Sequence, residues 1–331
     1  MRDGKLDFFK GLLIWSVVLG HTLNILCPGT VLHTVLRTFD LPMFMFISGW
    51  LMKGSIIRYD WKQFIVNKVT NIAFPAVIWI IISLLCGDLH SYYFLWSVFI
   101  SSVIVCLSRE IGKLTPNLSG LGGAILVMVA VMFYLIPKNI VNISYLFPCF
   151  IIGYFSKGIS HIGWKIGVLS IIIFLYLILF VWHPDYTVWK TGSYILQNTS
   201  FMLYVVVLRL VIAMVGIYSV IFVMGFAYDM LKDSALIALF SKIGQQTLAI
   251  YLMQHIVVEI GLERCVGCMN INEVLTSNHL FVGYALTPIF SLILLIMMYY
   301  MVSLIQKCRY IKWVFGFRAN IGDKTIKYVI N

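Results

Sequence analysis

Apolar stretches long enough to cross a lipid bilayer recur along the whole chain, and this feature constrains the fold most. A helix of about 20 apolar residues spans a hydrocarbon core of ~30 Å. Of the 331 residues, 61% are hydrophobic and 11% are charged, whereas soluble domains average about 45–50% and 25%. A soluble core cannot absorb that much apolar surface. The sequence therefore predicts an all-α integral membrane protein.

Ten membrane-spanning helices are predicted from the positions of these stretches. They are expected at residues 6–26, 31–52, 65–86, 92–107, 121–136, 142–157, 164–182, 200–226, 240–260 and 280–305. With the N-terminus in the cytoplasm, most of the 24 Lys and Arg residues fall on the inner side, and only Lys138, Lys190 and Arg264 fall in outer segments. The positive-inside rule therefore predicts that both termini are cytoplasmic.

The short loops indicate one membrane domain covering residues 1–331, with a short basic cytoplasmic tail at 306–331. The net charge of +11 is spread over short inner loops and this tail, without a nucleic-acid-binding motif. We therefore expect anionic membrane lipids as partners and no nucleic acid. The oligomeric state is not indicated by the sequence.

A C-x-x-C motif, Cys265 and Cys268, lies in a predicted outer loop. A disulfide, half of a metal site and a local structural role all stay open. Because no second ligand pair accompanies the motif, no metal site is predicted.

Ionisable side chains inside the predicted spans mark candidate functional sites, because each costs at least ~2.5–3.5 kcal/mol on insertion scales. In the first span, the eleven-residue step from Lys10 to His21 covers three helical turns plus 20°. The two residues therefore share one face, and Asp7 joins it one turn below Lys10. His21 lies ~16 Å above Lys10, nearer the outer surface. Lys10 could instead extend to the cytoplasmic surface.

The second predicted span carries a similar polar stripe. Arg37, Asp40 and Ser48 fall on one face of a helix that Pro42 is expected to kink. The dipeptide Ser48-Gly49 would allow the backbone of a neighbouring helix to approach closely. Arg37 and Asp40 are either functional residues or a pair that neutralises itself.

The ninth predicted span places Tyr251, His255 and Glu259 at successive four-residue steps on one face. His255 is either functional or a packed residue that bonds to a neighbouring helix. The histidines of the outer loops, among them His33, are expected to be ordinary solvated residues. Three helices thus each offer an ionisable stripe.

These residues form motifs that resemble a known family. Residues 5–21 (KLDFFKGLLIWSVVLGH) are similar to the opening helix of the membrane acyltransferase 3 family, in which a basic residue, ten others and a histidine form the signature. Residues 39–49 (FDLPMFMFISG) resemble its "F-x-M-P-x-F-F-F-x-S-G" second helix. Further similarities are Lys68 to Pro75, the segment at 93–96, the "F-x-x-G-Y" at 150–154 and the "S-x-x-I-Y-L-x-x-H" at 247–255.

The pattern is most similar to the fucose 4-O-acetylase-like subgroup, which lacks an appended extracytoplasmic domain. Three positions depart from the family pattern. Lys10 replaces an arginine, Asn71 replaces a second basic residue, and Asp40 stands where His or Asn is frequent. Lysine lacks the two-pronged geometry of arginine, so positioning of the donor can differ.

The resemblance implies a multi-pass protein of a bacterial inner or plasma membrane. It also implies an O-acyltransferase that moves an acyl group, expected to be acetyl, from cytoplasmic acyl-CoA to a sugar hydroxyl of a surface or lipid-linked polysaccharide. Acyl-CoA is then a co-substrate, and no bound cofactor is expected. Lys68, Lys62 or Arg58 would meet the CoA phosphates.

His21 is predicted to be the general base, because an ordinary imidazole accepts protons near neutral pH. Lys10, helped by Asp7, would orient the donor. Ser48, Arg37 or Tyr251 would stabilise the thioester oxyanion, and an acyl-histidine intermediate stays open. The alternative is a transporter of a saccharide or lipid intermediate that uses the same buried charges. A non-catalytic scaffold would leave the three stripes unexplained.

Overall fold

A computed structural model describes residues 4–88, 92–114, 143–156, 162–182, 200–269, 279–308 and 312–316 of the chain. The described residues are helical throughout, with no β-strand among them. The α-helices, in chain order, are α1 Gly4–Leu26, α2 Val31–Arg58, α3 Trp61–Lys68, α4 Phe74–Leu85, α5 Tyr93–Leu114, α6 Ile143–Phe155, α7 Trp164–Phe180, α8 Ser200–Leu231, α9 Ala235–Gln245, α10 Thr247–Gln254, α11 Glu263–Met269, α12 His279–Phe281 and α13 Thr287–Lys307.

Three stretches of π-helix and one short 3₁₀-helix complete these elements. The π-helical stretches are Val69–Ala73, His255–Leu262 and Val282–Leu286, and the 3₁₀-helix is Lys312–Phe315. The first π stretch lies just before Pro75, whose backbone nitrogen carries no hydrogen and therefore cannot donate a hydrogen bond. Widened turns of this kind are a recurrent way to accommodate such breaks and are frequent at functional sites.

Six helical segments of the described chain are long and apolar enough to cross a membrane. They are Gly4–Leu26, Val31–Met52, Trp61–Leu85, Tyr93–Glu110, Val207–Leu231 and Val282–Lys307. Two shorter apolar helices, Leu146–Phe155 and Trp164–Phe180, fall where the sixth and seventh spans were predicted. The all-helical membrane architecture is thereby confirmed, whereas the count of ten and the side of the termini stay predictions. The fifth predicted span, 121–136, lies outside the described residues.

The ninth predicted span is not one straight helix. The segments Ala235–Gln245 and Thr247–Cys268 meet at an angle of 73°. The side chain of Gln246, at the break, donates from Nε2 to Ser303 Oγ of α13 over 3.1 Å. The break falls in the polar stretch from Gly244 to Thr247, within a segment for which the sequence analysis predicted one continuous span.

The chain divides into two compact units. The first consists of residues 1–30, 74–90 and 227–331, and the second of residues 31–73 and 91–226.

In the first unit, α1 packs against α9 at two glycines. A Cβ atom added at Gly11 would collide with the carbonyl of Phe240, and one added at Gly244 would collide with the carbonyl of Asp7. Small residues at helix interfaces allow backbones to meet this closely, which favours Cα–H···O contacts and dispersion where no hydrophobic driving force acts. Trp15 of α1 also donates from Nε1 to Ser291 Oγ of α13 over 3.1 Å. Helix α1 is thus fixed against both neighbours.

In the second unit, α2 and α6 meet in the same way. A Cβ atom at Gly49 would collide with the carbonyl of Phe150, and one at Gly153 would collide with the carbonyl of Phe46. The close approach expected at Ser48-Gly49 is therefore confirmed. The two motifs at residues 39–49 and 150–154 pack against each other.

Part of the predicted basic tail packs against the first unit. Phe315 is buried, and its ring centroid lies 5.1 Å from that of Trp79 in α4. Trp79 also donates from its indole Nε1 to the carbonyl of Val314 over 3.1 Å. The chain after α13 therefore returns to α4 at this point.

Candidate active site

The carboxylate of Glu259 lies between two histidines of the first unit. Its Oε1 is 2.6 Å from Nδ1 of His21, and its Oε2 is 2.6 Å from Nδ1 of His255. The contact with His255 has hydrogen-bond geometry, whereas the approach to His21 lies off the N–H direction. Catalytic hydrogen bonds are often poorly aligned before substrate binds and tighten in the reacting complex. The polar stripes of the first and ninth predicted spans therefore meet at the carboxylate of Glu259.

Local backbone structure explains why both histidines reach Glu259. His255 begins the π-helical stretch His255–Leu262, whose wider turns change the angular spacing of side chains. Glu259 follows His255 by one turn and extends one oxygen to it and the other to α1. Tyr251, one turn before His255 on α10, is buried.

A fourth ionisable group reaches His255 from the end of α4. Oδ2 of Asp88 lies 3.1 Å from Nε2 of His255. The His255 ring is 1% exposed, and the Asp88 side chain is 54% exposed. Both nitrogens of the His255 ring thus face carboxylates.

The charges of this cluster have a chemical consequence. A carboxylate inside a membrane protein is costly unless it has polar partners, and the rings of His21 and His255 lie at 2.6 Å from the two oxygens of Glu259. Glu259 can then act on His21 as an anion, holding the proton of the ring on Nδ1 and leaving Nε2 with its lone pair. The His21 side chain is 20% exposed. The arrangement is that of an imidazole base oriented by a carboxylate.

Lys10 and Asp7, which the sequence placed on one face of the first helix, form an ion pair. Lys10 Nζ lies 2.7 Å from Asp7 Oδ1, and the Asp7 side chain is 3% exposed. Close packing of Gly244 against the carbonyl of Asp7 fixes this part of α1. The ion pair belongs to the same helix as His21, three turns away.

The remaining predicted site residues belong to the second unit. Arg37 does not pair with Asp40 among the described residues. It donates from Nε to His33 Nε2 over 3.3 Å, and the Asp40 carboxylate accepts from the backbone N–H of Leu41 at 2.6 Å. A side chain can reach one turn back along a helix as easily as one turn forward, which explains the difference. His33 is therefore half-buried and bonded, and the expectation of a solvated residue is wrong.

Ser48 and Lys68 occupy different positions in that unit. Ser48 is half-buried on α2, beside the close contact at Gly49. The Lys68 ammonium lies 5.4 Å from the centroid of the Phe64 ring one turn earlier, within the range of a cation–π contact.

Among the described residues, no group of three or more His, Cys, Asp and Glu residues is arranged to hold a metal ion.

Comparison with known proteins decides the family. The acyltransferase domain of the acyltransferase 3 family matches residues 3–260, a stretch that contains His21, His255 and Glu259. The chain belongs to the acyltransferase 3 family. The resemblance seen in its motifs is thereby confirmed.

Two relatives of this acyltransferase 3 protein are nodulation proteins. Nodulation protein NolL of Mesorhizobium japonicum is 26% identical over 196 residues, which cover 51% of the chain and 51% of the relative. Nodulation protein NolL of Sinorhizobium fredii is 23% identical over 188 residues, which cover 48% of the chain and 50% of the relative. The chain spans about half the length of the curated relatives it matches. No solved structure matches it.

Two residues of the cluster were not among the predicted site residues. Glu259 was recognised as part of the ninth stripe but not as the group that joins the histidines, because the position of α1 beside that stripe is a tertiary fact. Asp88 was not singled out at all. Its signal is weak: one acidic residue directly after an apolar span, in the turn Cys86-Gly87-Asp88.

Proposed function

We propose that this acyltransferase 3 protein is a membrane-bound O-acyltransferase that moves an acyl group, acetyl in the simplest case, from cytoplasmic acyl-CoA to a sugar hydroxyl of a surface or lipid-linked polysaccharide. Membership of the family supports acyl transfer. The observation that carries the proposal is the contact of Glu259 with His21, since a carboxylate-oriented imidazole is suited to deprotonating a hydroxyl.

The reaction proceeds by transfer of one proton and one acyl group. Nε2 of His21 takes the proton of the acceptor hydroxyl while the hydroxyl oxygen attacks the thioester carbonyl. The tetrahedral intermediate expels the CoA thiolate as its C–S bond breaks. His21 then returns the proton to the thiolate, so the products are the ester and free CoA, and His21 regains its neutral state.

Glu259 supports the first half of this cycle. As His21 gains a proton it becomes a cation, and the adjacent carboxylate stabilises that cation. Tyr251, one turn from His255, is the residue of the first unit that we expect near the oxyanion. Asp40, Ser48 and Arg37 stay candidates for binding either substrate.

Lys10 and Asp7 are assigned to the donor. Lys10 keeps its ammonium 2.7 Å from Asp7 and remains 19% exposed, so it can meet an anionic or polar group of acyl-CoA while its charge is partly neutralised. Lys62, Lys68 and Arg58, of the predicted inner segment, would meet the CoA phosphates. The acceptor would arrive from the outer side, and membrane lipids surround the helices.

The test is transfer of label from radiolabelled acetyl-CoA to envelope glycans in membranes that contain the wild-type protein or His21→Ala. Wild type should label the glycans, and His21→Ala should reduce labelling by at least a hundredfold at an unchanged amount of folded protein. Equal labelling by both would remove His21 from the mechanism. Labelling by neither, with acetyl and longer acyl donors alike, would overturn the O-acyltransferase assignment.

A transporter is the second candidate, and the 73° bend at Gln246 is the observation that favours it. Interrupted helices line the substrate sites of many transporters. Transport of a saccharide needs no acyl donor. Accumulation of saccharide in vesicles without acyl-CoA, together with absence of labelled ester, would favour the transporter.

A further inference from the structure

Several hydrogen bonds hold the turn that follows α4. Ser83 Oγ donates to the carbonyl of Asp88 over 2.7 Å, and the N–H of Asp88 donates to the carbonyl of Ser83 over 3.1 Å. Arg264 Nη2 donates to the carbonyl of Cys86 over 2.7 Å. Gly87 has a φ of 89°, a conformation that L side chains rarely adopt. The turn is therefore fixed both by its own residues and by a side chain from elsewhere.

Arg264 comes from the helical segment that carries the cluster. It follows the π-helical stretch His255–Leu262 directly, at the start of α11. The turn thus touches this segment at two points, once at Arg264 and once where Asp88 meets His255. Because the turn is held both at Cys86 and at Asp88, the Asp88 side chain has a fixed direction. A single contact on an exposed loop would leave it free to turn.

We propose that Asp88 and Arg264 are positioning residues of the acid–base site, which act through His255 on Glu259. This inference rests on the proposed function. Arg264 holds the turn, the turn directs the Asp88 carboxylate at Nε2 of His255, and the two carboxylates together fix the orientation of the His255 ring. The oriented ring holds Glu259 in place beside His21. Neither residue touches the substrate in this assignment.

The groups that face His255 define what Asp88 contributes. Glu259 contacts it from its own helical segment, Asp88 contacts it from the turn after α4, and His21 of α1 lies beyond Glu259. When Asp88 becomes an uncharged amide, the His255 ring loses the carboxylate that faces Nε2 and keeps Glu259 at Nδ1. The ring is then less firmly oriented, and Glu259 is held less firmly beside His21.

The experiment compares kcat and KM of four variants in purified protein reconstituted into vesicles. Asp88→Asn and Arg264→Gln should each lower kcat by about tenfold, because the first removes the charge that faces His255 and the second removes the charge-assisted hydrogen bond that holds the turn. KM for acyl-CoA should stay within about twofold, since these residues lie apart from the pair Lys10 and Asp7. Asp88→Glu and Arg264→Lys, which retain the charge, should recover most of the lost kcat. A general loss of structure would change KM as well and would not be rescued in this way.

Two exposed residues supply matched controls. Asp233→Asn and Lys232→Gln change the same charges in the exposed turn between α8 and α9, away from the cluster, and should leave kcat unchanged. Alkylation of Cys86 gives a separate measurement of the turn itself, because the side chain of Arg264 donates a hydrogen bond to the carbonyl of Cys86. Arg264→Gln should speed alkylation of Cys86 severalfold, measured on the peptide that contains it, and Arg264→Lys should not.

The outcomes separate this inference from the proposed function. Acyl transfer by wild type with unchanged kcat in Asp88→Asn and Arg264→Gln would overturn the positioning roles and leave the O-acyltransferase intact. A reduced kcat that the charge-retaining variants do not restore would overturn them as well. Absence of transfer by wild type would overturn the proposed function, and the positioning roles with it.

Discussion

Nδ1 of His21 lies 2.6 Å from Oε1 of Glu259, and this contact joins the first helix of the chain to the segment that follows the 73° bend. A carboxylate on this side of the ring favours the tautomer with its proton on Nδ1. The lone pair is then on Nε2. His21 and Glu259 come from opposite ends of the matched domain, so their contact forms only when both helices pack correctly.

Glu259→Gln tests the orienting carboxylate. The amide is nearly the same size but carries no charge to stabilise the imidazolium, so acyl transfer should fall by about a hundredfold, the lower range of general acid–base contributions. Glu263→Gln is the matched control, because Glu263 is exposed one turn further along the same segment. Initial rates with acetyl-CoA at saturating acceptor measure both. Equal activity of wild type and Glu259→Gln would show that Glu259 has a packing role alone.

Lys10 should tolerate arginine but not an uncharged side chain. Lys10→Arg keeps a cation beside Asp7, and the family pattern has arginine at this position, so activity should stay within about tenfold of wild type. Lys10→Met leaves the buried Asp7 carboxylate without its partner and should lower both activity and stability. The measurements are KM for acyl-CoA and the thermal midpoint in detergent. A Lys10→Met protein with an unchanged KM would argue against a donor role.

The sequence predicted the fold better than it predicted the site, for physical reasons that particular residues illustrate. Helix positions follow from apolar length, and the pairing of Asp7 with Lys10 follows from helical spacing, because both are local properties. The meeting of His21 with Glu259 depends on the packing of Gly11 and Gly244, which depends on distant contacts. Arg37 shows the same limit: its spacing allowed Asp40 or His33 as partner, and the surrounding structure selects His33.

Gly11→Ala should destabilise the protein through the contact of α1 with α9. The added methyl group would collide with the carbonyl of Phe240, and such insertions typically cost 1–3 kcal/mol of unfolding free energy. Gly267→Ala is the control, because nothing lies within 4 Å of a Cβ atom there and alanine is the better helix former. Unfolding in detergent titrations should separate the two. A Gly11→Ala variant as stable as wild type would contradict the packing of these helices.

Ser303→Ala should loosen the bend at Gln246. The variant removes the bond from Gln246 Nε2 and should cost about 1 kcal/mol of unfolding free energy. Ser303 also bonds to the carbonyl of Tyr299 within its own helix. Ser170→Ala is therefore a suitable control, since it removes just such a local bond, to the carbonyl of Gly167. Equal losses in both variants would show that the bend does not depend on Gln246.

Two of the three exposed cysteines, Cys265 and Cys308, can decide the predicted orientation. They flank Val282–Lys307, a 26-residue helical segment that is about 39 Å long and therefore sufficient to cross a bilayer. The distribution of Lys and Arg places Cys265 outside and Cys308 in the cytoplasm. Variants that retain one of the two as the sole exposed cysteine separate their signals.

A membrane-impermeant maleimide applied to intact cells should label the Cys265 variant at once and the Cys308 variant only after permeabilisation. Cys27, Cys106 and Cys149 are buried and should contribute little background, and the half-buried Cys86 is replaced in both variants. The reverse pattern would invert the predicted orientation and place His21 near the cytoplasm, where the acceptor assigned here would not meet it. Labelling of both positions from one side would mean that Val282–Lys307 does not span the membrane, and it would remove the basis for an even number of spans.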